Sequence, residues 1–441
     1  MSSEFLVVLM FGGLLLGLFM GFPVAFVMLG ISLIVGVMGV GMGFFHMMLI
    51  RTFHVMTEYI LVAVPLFIFM GVMLERSGAA EHLYSALHIN LGGFNGGLAV
   101  ATVVVCTVMA AATGIIGAPV VTMGLFALPE MLKRGYDKAL SVGSVCAGGT
   151  LGILIPPSVM MVVYGPMAGI SVGKLFMGAI FPGLVLSGLY VLYISLRCAF
   201  KPELGPALPP EERRLPLGRR VWMVTTSLLP TVFLILSVLG VIFFGVAAPT
   251  EAAAMGALAS MFLAAGYGNL NWETLKAGAY RTLTVSSMII LTLVGAFVFS
   301  GTFYMIGGGD VVTNLLLGLP VGKWGMLAIM LFSYFVLGIF MEWVGILPIL
   351  VPLFTPLAAK LGFDPLWFAI LCCVAMQTSF LTPPMAPAIF YIRGVAPKEV
   401  KFGDIVRGVV PFIGLQLVGI TLVVLIPSLA TWLPGLMIRA R

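Results

Sequence analysis

The sequence predicts an all-α polytopic membrane protein made of two inverted repeats, each with about five spans and a re-entrant helical hairpin. Three observations lead there. Apolar residues make up 61% of the chain and charged residues 9%, against roughly 25% charged in a soluble domain. Uncharged apolar stretches cover 5–45, 221–249, 282–309 and 409–438, each longer than the ~20 residues that cross a bilayer as helix. One set of landmarks also recurs 227 residues further on. Pro129, Lys133, Gly135, Asp137, Pro156-Pro157 and Tyr164 return as Pro356, Lys360, Gly362, Asp364, Pro383-Pro384 and Tyr391. Upstream the register holds with small gaps, Phe67–Gly71 matching Phe297–Gly301 and Pro23–Gly30 matching Pro249–Gly256. Such internal repetition marks a duplicated chain.

The first repeat occupies 1–200, with crossings near 5–21, 23–44, 59–75, 140–167 and 174–197. The proline-rich hydrophilic stretch 201–220 is a linker. The second repeat, 221–441, has crossings near 221–245, 249–266, 283–305, 366–392 and 409–434. Each half also holds an interrupted apolar segment, at about 93–131 around Thr113-Gly114 and at about 322–358 around Met341-Glu342-Trp343. Their arms fall short of a full span, so both read as hairpins whose tips stop inside the membrane. The segments 140–167 and 366–392 are helices broken at the proline pairs.

An odd number of crossings per half inverts the second half. Placing the linker in the cytoplasm puts 16 of the 22 basic residues there, among them Lys133, Arg220, Arg281 and Arg393. Arg51, Lys174, Lys323, Lys360, Arg439 and Arg441 fall on the other side. This bias satisfies the positive-inside rule. The basic residues lie between spans, so a net charge of +6 is a topology signal and does not point to nucleic acid. No positive n-region precedes the first span at Phe5, so no cleavable signal is expected.

The proline pairs carry the chemistry. Proline has no amide hydrogen and clashes with the carbonyl four residues back. Pro156-Pro157 frees the carbonyls of Gly152 and Ile153, and Pro383-Pro384 those of Ser379 and Phe380. Unpaired carbonyls in apolar surroundings cost several kcal/mol, and a hard cation such as Na⁺ satisfies them. Thr150 supplies a hydroxyl beside the first break; Gln377, Thr378, Ser379 and Thr382 supply oxygens at the second. Gly149 and Gly152 allow close backbone approach. The tips, Thr113-Gly114 and Glu342 to Gly345, are expected to complete the two sites. Matching helix breaks in two halves of a membrane protein are the pattern of a secondary transporter with its ion sites at the breaks.

Glu342 is the only carboxylate inside the second hairpin. It either binds Na⁺, carries a proton, or caps the hairpin's second arm. Glu251 follows Pro249 at the start of a span, where a first-turn carboxylate is favoured. The four histidines are scattered, the 29 methionines read as packing, and the five cysteines as buried small residues without metal spacing. No nucleophile–base arrangement or phosphate loop stands out, so an enzyme is not expected.

The longer motifs resemble a known family. Ala118-Pro-Val-Val-Thr-Met-Gly124, Lys133-Arg-Gly-Tyr-Asp137, Gly148-Gly-Thr-Leu-Gly-Ile-Leu-Ile-Pro-Pro-Ser158, Gln377-Thr-Ser-Phe-Leu-Thr-Pro-Pro384, Tyr391-Ile-Arg-Gly-Val-Ala-Pro397 and Gly403-Asp-Ile-Val-Arg-Gly408 look like the DctM-type large membrane subunit of tripartite ATP-independent periplasmic (TRAP) transporters. The resemblance covers essentially the whole chain. Met385-Ala386-Pro387 departs from the Phe-Gly-type sequence expected there and alters the pocket near that break.

The resemblance implies an elevator, with hairpins and broken helices moving against a scaffold in the bacterial inner membrane. It implies Na⁺ as coupling ion and no organic cofactor. It implies a small organic acid as substrate, a DctP-like periplasmic binding protein that delivers it, and a DctQ-like membrane subunit of four helices, expected as a separate polypeptide. By motif matching, Thr113, Gly149, Thr150, Gly152, Pro156, Gly345, Thr378, Ser379 and Thr382 are carried over as Na⁺ residues. Thr113, Gly114, Ser158, Glu342, Gln377, Thr382 and Met385 are carried over as substrate residues. The competing reading is a stand-alone ion-coupled carrier of dicarboxylate or citrate type, or an antiporter, of similar architecture.

Overall fold

The computed structural model describes residues 2–209, 211, 216–383 and 386–437. Pro384 and Met385, the latter an expected substrate residue, lie outside the described residues. So do Arg213 and Arg214 of the linker and the terminal Arg439 and Arg441.

Every regular element among the described residues is helical. The first half runs α1 (Ser3–Phe19), α2 (Val24–Val40), α3 (Gly43–Thr57), a 3-10 turn (Tyr59–Val62) leading into α4 (Ala63–Arg76), and α5 (Ala79–Leu91). A hairpin follows, α6 (Gly97–Thr113) and α7 (Gly117–Lys133), then the interrupted pair α8 (Lys138–Thr150) and α9 (Val159–Ala168), and α10 (Val172–Phe200). The second half runs α11 (Leu217–Phe243), α12 (Pro249–Gly266), α13 (Trp272–Met305) and α14 (Gly308–Leu317). Its hairpin is α15 (Lys323–Phe340) and α16 (Trp343–Lys360), its interrupted pair α17 (Pro365–Ser379) and α18 (Pro387–Val395), and α19 (Phe402–Leu425) and α20 (Ser428–Gly435) close the chain.

The repeated Lys-x-Gly-(Tyr/Phe)-Asp motif has a local physical cause. Gly135 and Gly362 adopt φ of 76° and 78°, the left-handed conformation that stops a helix. The next residues close the stop, Tyr136 N–H bonding the Met131 carbonyl at 3.1 Å and Phe363 N–H the Ala358 carbonyl at 3.0 Å. Each aspartate then caps the helix after it. Asp137 accepts from Leu140 N–H and Asp364 from Trp367 N–H, both at 2.8 Å. The motif therefore ends a hairpin arm and starts a broken helix, twice.

Contacts at the helix ends fix the relative direction of the halves. Lys138, at the start of α8, donates to the Glu399 carbonyl just before α19 at 3.0 Å. Trp367, at the start of α17, donates to the Val423 carbonyl near the end of α19 at 2.8 Å. Since α19 separates those two ends by its own length, α8 and α17 start on opposite faces and run antiparallel. The linker face also holds the base of the first hairpin, where Gly96 N–H bonds the Gly205 carbonyl at 2.7 Å and Asp137 N–H the Leu204 carbonyl at 2.9 Å. The base of the second hairpin lies with the start of α17, where Trp324 packs on Phe363 and Phe363 on Trp367. The two hairpins thus enter from opposite faces.

Several helices differ from expectation. Helices α3, α5, α14 and α20 are additional to the expected spans; their mixed polarity or short length gives no span-like pattern in the sequence. Helix α13 begins at Trp272 rather than at 283, because Asn271 caps it by accepting from Thr274 N–H at 2.8 Å. That places Arg281 inside a 34-residue helix instead of in a loop. The span expected to run unbroken to 434 stops at Leu425, ahead of Pro427. Both arms of the second hairpin, at 18 residues each, are long and apolar enough to cross a membrane by length and composition. Re-entrance therefore rests on where the tips go.

Candidate functional site

The first tip turns on Gly114, whose φ of 64° ends α6, its N–H bonding the Ala110 carbonyl at 3.1 Å. A Cβ at Gly114 would lie 2.9 Å from the Pro157 carbonyl oxygen, and one at Gly152 would lie 2.5 Å from the Ile115 carbonyl oxygen. The tip therefore sits directly on the first break, as expected of Thr113-Gly114. Thr113 is buried, its hydroxyl 3.5 Å from the Ile115 carbonyl. Gly149 abuts Val120 in the first turn of α7.

The second tip turns through two extended residues, Met341 and Glu342. It contacts the second break along α15, where Gly338 leaves room for the Ser379 hydroxyl. Gly345 faces away, toward Val24 and Met28 of α2. Glu342 is the N-cap residue of α16, yet its side chain accepts no capping bond. The capping role allowed for it is not made here; the carboxylate is exposed. Glu251 does what a helix-start residue should, accepting from Ala248 N–H at 2.9 Å.

Both helices do break, but most of the freed carbonyls find partners within the chain. The Ser158 hydroxyl donates to the Ile153 carbonyl at 2.6 Å. The Ser379 carbonyl accepts from Thr382 N–H at 3.0 Å and the Phe380 carbonyl from Ala388 N–H at 3.4 Å. The picture of bare carbonyls is therefore corrected for these three. What remains for a cation is their second lone pairs and the hydroxyl oxygens. Thr150 donates to the Ala147 carbonyl at 2.9 Å, Thr378 to Val374 at 3.2 Å, Ser379 to Met376 at 2.6 Å and Thr382 to Thr378 at 2.8 Å. Each proton is turned back onto the helix, which leaves oxygen lone pairs free to accept.

The two breaks meet at the centre. Gln377 and Thr150 occupy equivalent positions in the two repeats, and the Gln377 amide Nε2 lies 3.4 Å from the Thr150 hydroxyl. The Gln377 carbonyl Oε1 is buried without a partner among the described residues, a costly state for a polar atom. This contact marks the pseudo-twofold axis that relates the halves.

Beside the breaks lies a cavity of about 270 Å³. Both tips reach it, Ile115 to Ala118 from the first and Glu342 to Val344 from the second, together with Phe380 and Pro387 flanking the second break. Hairpins that enter from opposite faces and share one cavity are both re-entrant. Arg281, Thr284 and Tyr391 add polar side chains to its lining. The Tyr391 ring packs on Gly117, 3.3 Å from where a Cβ would stand. Neither Arg281 nor Tyr391 was named as a ligand from sequence. The duplicated tyrosine was the signal for Tyr391, and the Asn271 cap was the signal that Arg281 lies on a helix.

Comparison with known proteins agrees with this architecture. The model of the family described as "Tripartite ATP-independent periplasmic transporter, DctM component" matches residues 11–429. The C4-dicarboxylate TRAP transporter large permease protein DctM of Vibrio cholerae serotype O1 is 31% identical, over 86% of each chain. The ectoine TRAP transporter large permease protein TeaC of Halomonas elongata is 28% identical over 99% of this chain and all of its own. Among solved structures, the YdaH transporter of Alcanivorax borkumensis superposes with a TM-score of 0.64 over 94% of this chain and 98% of its own, at 13% identity, a likeness of fold alone. With a family match over nearly its full length, the chain belongs to the DctM component family of tripartite ATP-independent periplasmic transporters.

Proposed function

We propose that the chain is the large transmembrane subunit of a Na⁺-coupled, binding-protein-dependent transporter that imports a small organic acid by an elevator movement. One observation carries this: both hairpin tips, the second break and Arg281 share one cavity. The first turns of α7 and α16 line it, and first-turn N–H groups lack intrahelical partners and favour anions. Arg281 adds a full positive charge. Together they suit a carboxylate. The oxygens of Thr150, Thr378, Ser379 and Thr382, protons turned away, suit a cation at the adjacent breaks.

The linker face is cytoplasmic by the balance of basic residues, in a bacterial inner membrane. Arg281 lies in the third of α13 nearest that face, which assigns its cavity to the inward side. The hairpins and broken helices move as one body against α1–α4 and α11–α13. Substrate comes from a periplasmic binding protein, and a small four-helix subunit enlarges the scaffold.

The test is uptake by the chain in proteoliposomes with an imposed Na⁺ gradient, with and without its small subunit and binding protein. Uptake that needs both partners and the gradient is expected. Uptake by this chain alone would favour the stand-alone carrier, and uptake indifferent to Na⁺ would remove the coupling ion.

A further inference from the structure

Arg281 has a counterpart. Arg51 on α3 stands at the spacing that separates Phe67 from Phe297, so the two arginines are equivalent in the repeats. The match is hidden in the fold because α13 is continuous while its counterpart is divided into α3, the 3-10 turn and α4. The surroundings match as well. Thr284, Val285 and Met288 line the cavity that holds Arg281. Their equivalents His54, Val55 and Glu58 line a second cavity, of about 110 Å³. Arg51 and His54 line an adjoining space of about 260 Å³, which reaches Pro166 and Met167 of α9 and Pro348 and Pro352 of α16. These spaces lie toward the face opposite the linker, where α13 ends.

The tyrosines are paired in the same way. Tyr391, on α18, is 37% exposed and lines the cavity with Arg281, whereas its equivalent Tyr164, on α9, is fully buried. The first is uncovered beside its arginine; the second is buried against Tyr334 and Cys372, while Pro166 and Met167 of the same helix line the space that holds Arg51. Among the described residues neither arginine has a carboxylate within 4 Å, although Glu75 lies within electrostatic reach of Arg281, Glu342 shares its cavity and Glu58 lines the cavity next to Arg51. An inverted repeat that changes state exchanges the environments of equivalent residues.

We propose that Arg281 and Arg51 are two scaffold anchors for the anionic group of the cargo, used in turn. Arg281 meets it when the site opens to the linker face, and Arg51 meets it when the site opens to the opposite face, with Tyr164 taking the place that Tyr391 has now. This rests on the elevator reading above. It makes Arg51 and Arg281 the cationic anchors among the scaffold side chains that line these cavities, with Thr284 beside the first cavity's arginine and His54 and Ser300 beside the other.

The test uses the full chain with its small subunit in native membrane vesicles of both orientations, and needs no identified substrate. Thr284→Cys beside Arg281 and Ser300→Cys beside Arg51 are each modified with anionic sulfonatoethyl and cationic trimethylammonioethyl methanethiosulfonate. A charge in a low-dielectric cleft raises anion encounter rates by ten- to a thousandfold. The anion-to-cation rate ratio at Thr284→Cys, reached from the linker face, should fall about tenfold with Arg281→Gln and be kept by Arg281→Lys. The ratio at Ser300→Cys, reached from the opposite face, should fall similarly with Arg51→Gln only. A short bismaleimide should bridge Arg281→Cys to Tyr391→Cys, and in a separate variant Arg51→Cys to Tyr164→Cys. If only the first pair bridges, the alternating movement fails and this proposal with it. If both pairs bridge but the ratio at Ser300→Cys ignores Arg51→Gln, the movement stands and the paired-anchor proposal is overturned. Correct membrane insertion of each variant is checked by labelling at Phe200→Cys, an exposed position at the end of α10.

Discussion

Gly152→Ala tests the contact between the first tip and the first break. The added Cβ would stand 2.5 Å from the Ile115 carbonyl oxygen and 3.1 Å from its carbon, both backbone atoms, where ordinary contact begins at 3.4 Å. About 0.9 Å must be found, and no side chain can turn aside to supply it. Overpacking of this kind costs about 1–3 kcal/mol. Replacing glycine by alanine returns about 0.4–1 kcal/mol through the unfolded chain. The net loss of stability is then about 0–2.5 kcal/mol, a shift of a few degrees in Tm. A ligand set tolerates only about 0.5 Å of displacement, so the proposed ion site should suffer more than the fold. The Na⁺ concentration for half-maximal uptake should rise at least about tenfold, equivalent to about 1.4 kcal/mol. Gly188→Ala in α10 is the control, since beyond its own helix backbone no described atom lies within 4 Å of its new Cβ. A Gly152→Ala protein with the parent's Na⁺ dependence would refute the reasoning, because the clash would then have been absorbed without disturbing the site.

Other substitutions separate the remaining roles. Thr150→Val removes a hydroxyl that only bonds its own helix and meets Gln377, so it should cost under about 1 kcal/mol of stability while raising the Na⁺ requirement; Tm and Na⁺ titration on one preparation check both. Gln377→Leu relieves an unpartnered buried oxygen and should leave Tm unchanged or higher, yet impair uptake; full uptake would show that the central amide has no part in transport. Glu342→Gln keeps the shape of the second tip, and because no cap is lost, any fall in uptake reports the charge. Glu251→Ala should lower stability by about 1 kcal/mol through the lost cap with Na⁺ dependence intact, and a change in that dependence would argue against a purely structural role.

The repeat was legible because it rests on residues with strict backbone demands. Gly135 and Gly362 stop helices, Asp137 and Asp364 start them, and the proline pairs interrupt them, so each leaves a mark no other residue type would leave. The tips were legible for the same reason, Gly114 being needed at positive φ. The helices not legible in the sequence are α3, α5, α14 and α20, which are short or not uniformly apolar, so no length or periodicity argument isolates them. Arg281 escaped because charge was read as a sign of loop, whereas its helix starts nine residues earlier. The partners of the freed carbonyls could not be seen either. Ser158 returning to Ile153, and Ala388 N–H reaching Phe380, depend on how the chain crosses the break, which sequence spacing does not specify.

The imperfect match between halves has a consequence for switching. If the repeats were identical, the inward and outward arrangements would be mirror states of equal energy, and only ligands would tell them apart. Here the equivalents differ where, on the proposed elevator reading, the moving body would meet the scaffold. His54 and Glu58 on one side stand where Thr284 and Met288 stand on the other, and a divided α3–α4 stands where α13 is continuous. A difference of about 1.4 kcal/mol between such contacts already shifts the resting populations tenfold. Under the proposed elevator, inversion would supply two end states, and the departures from symmetry would decide which of them the empty protein occupies.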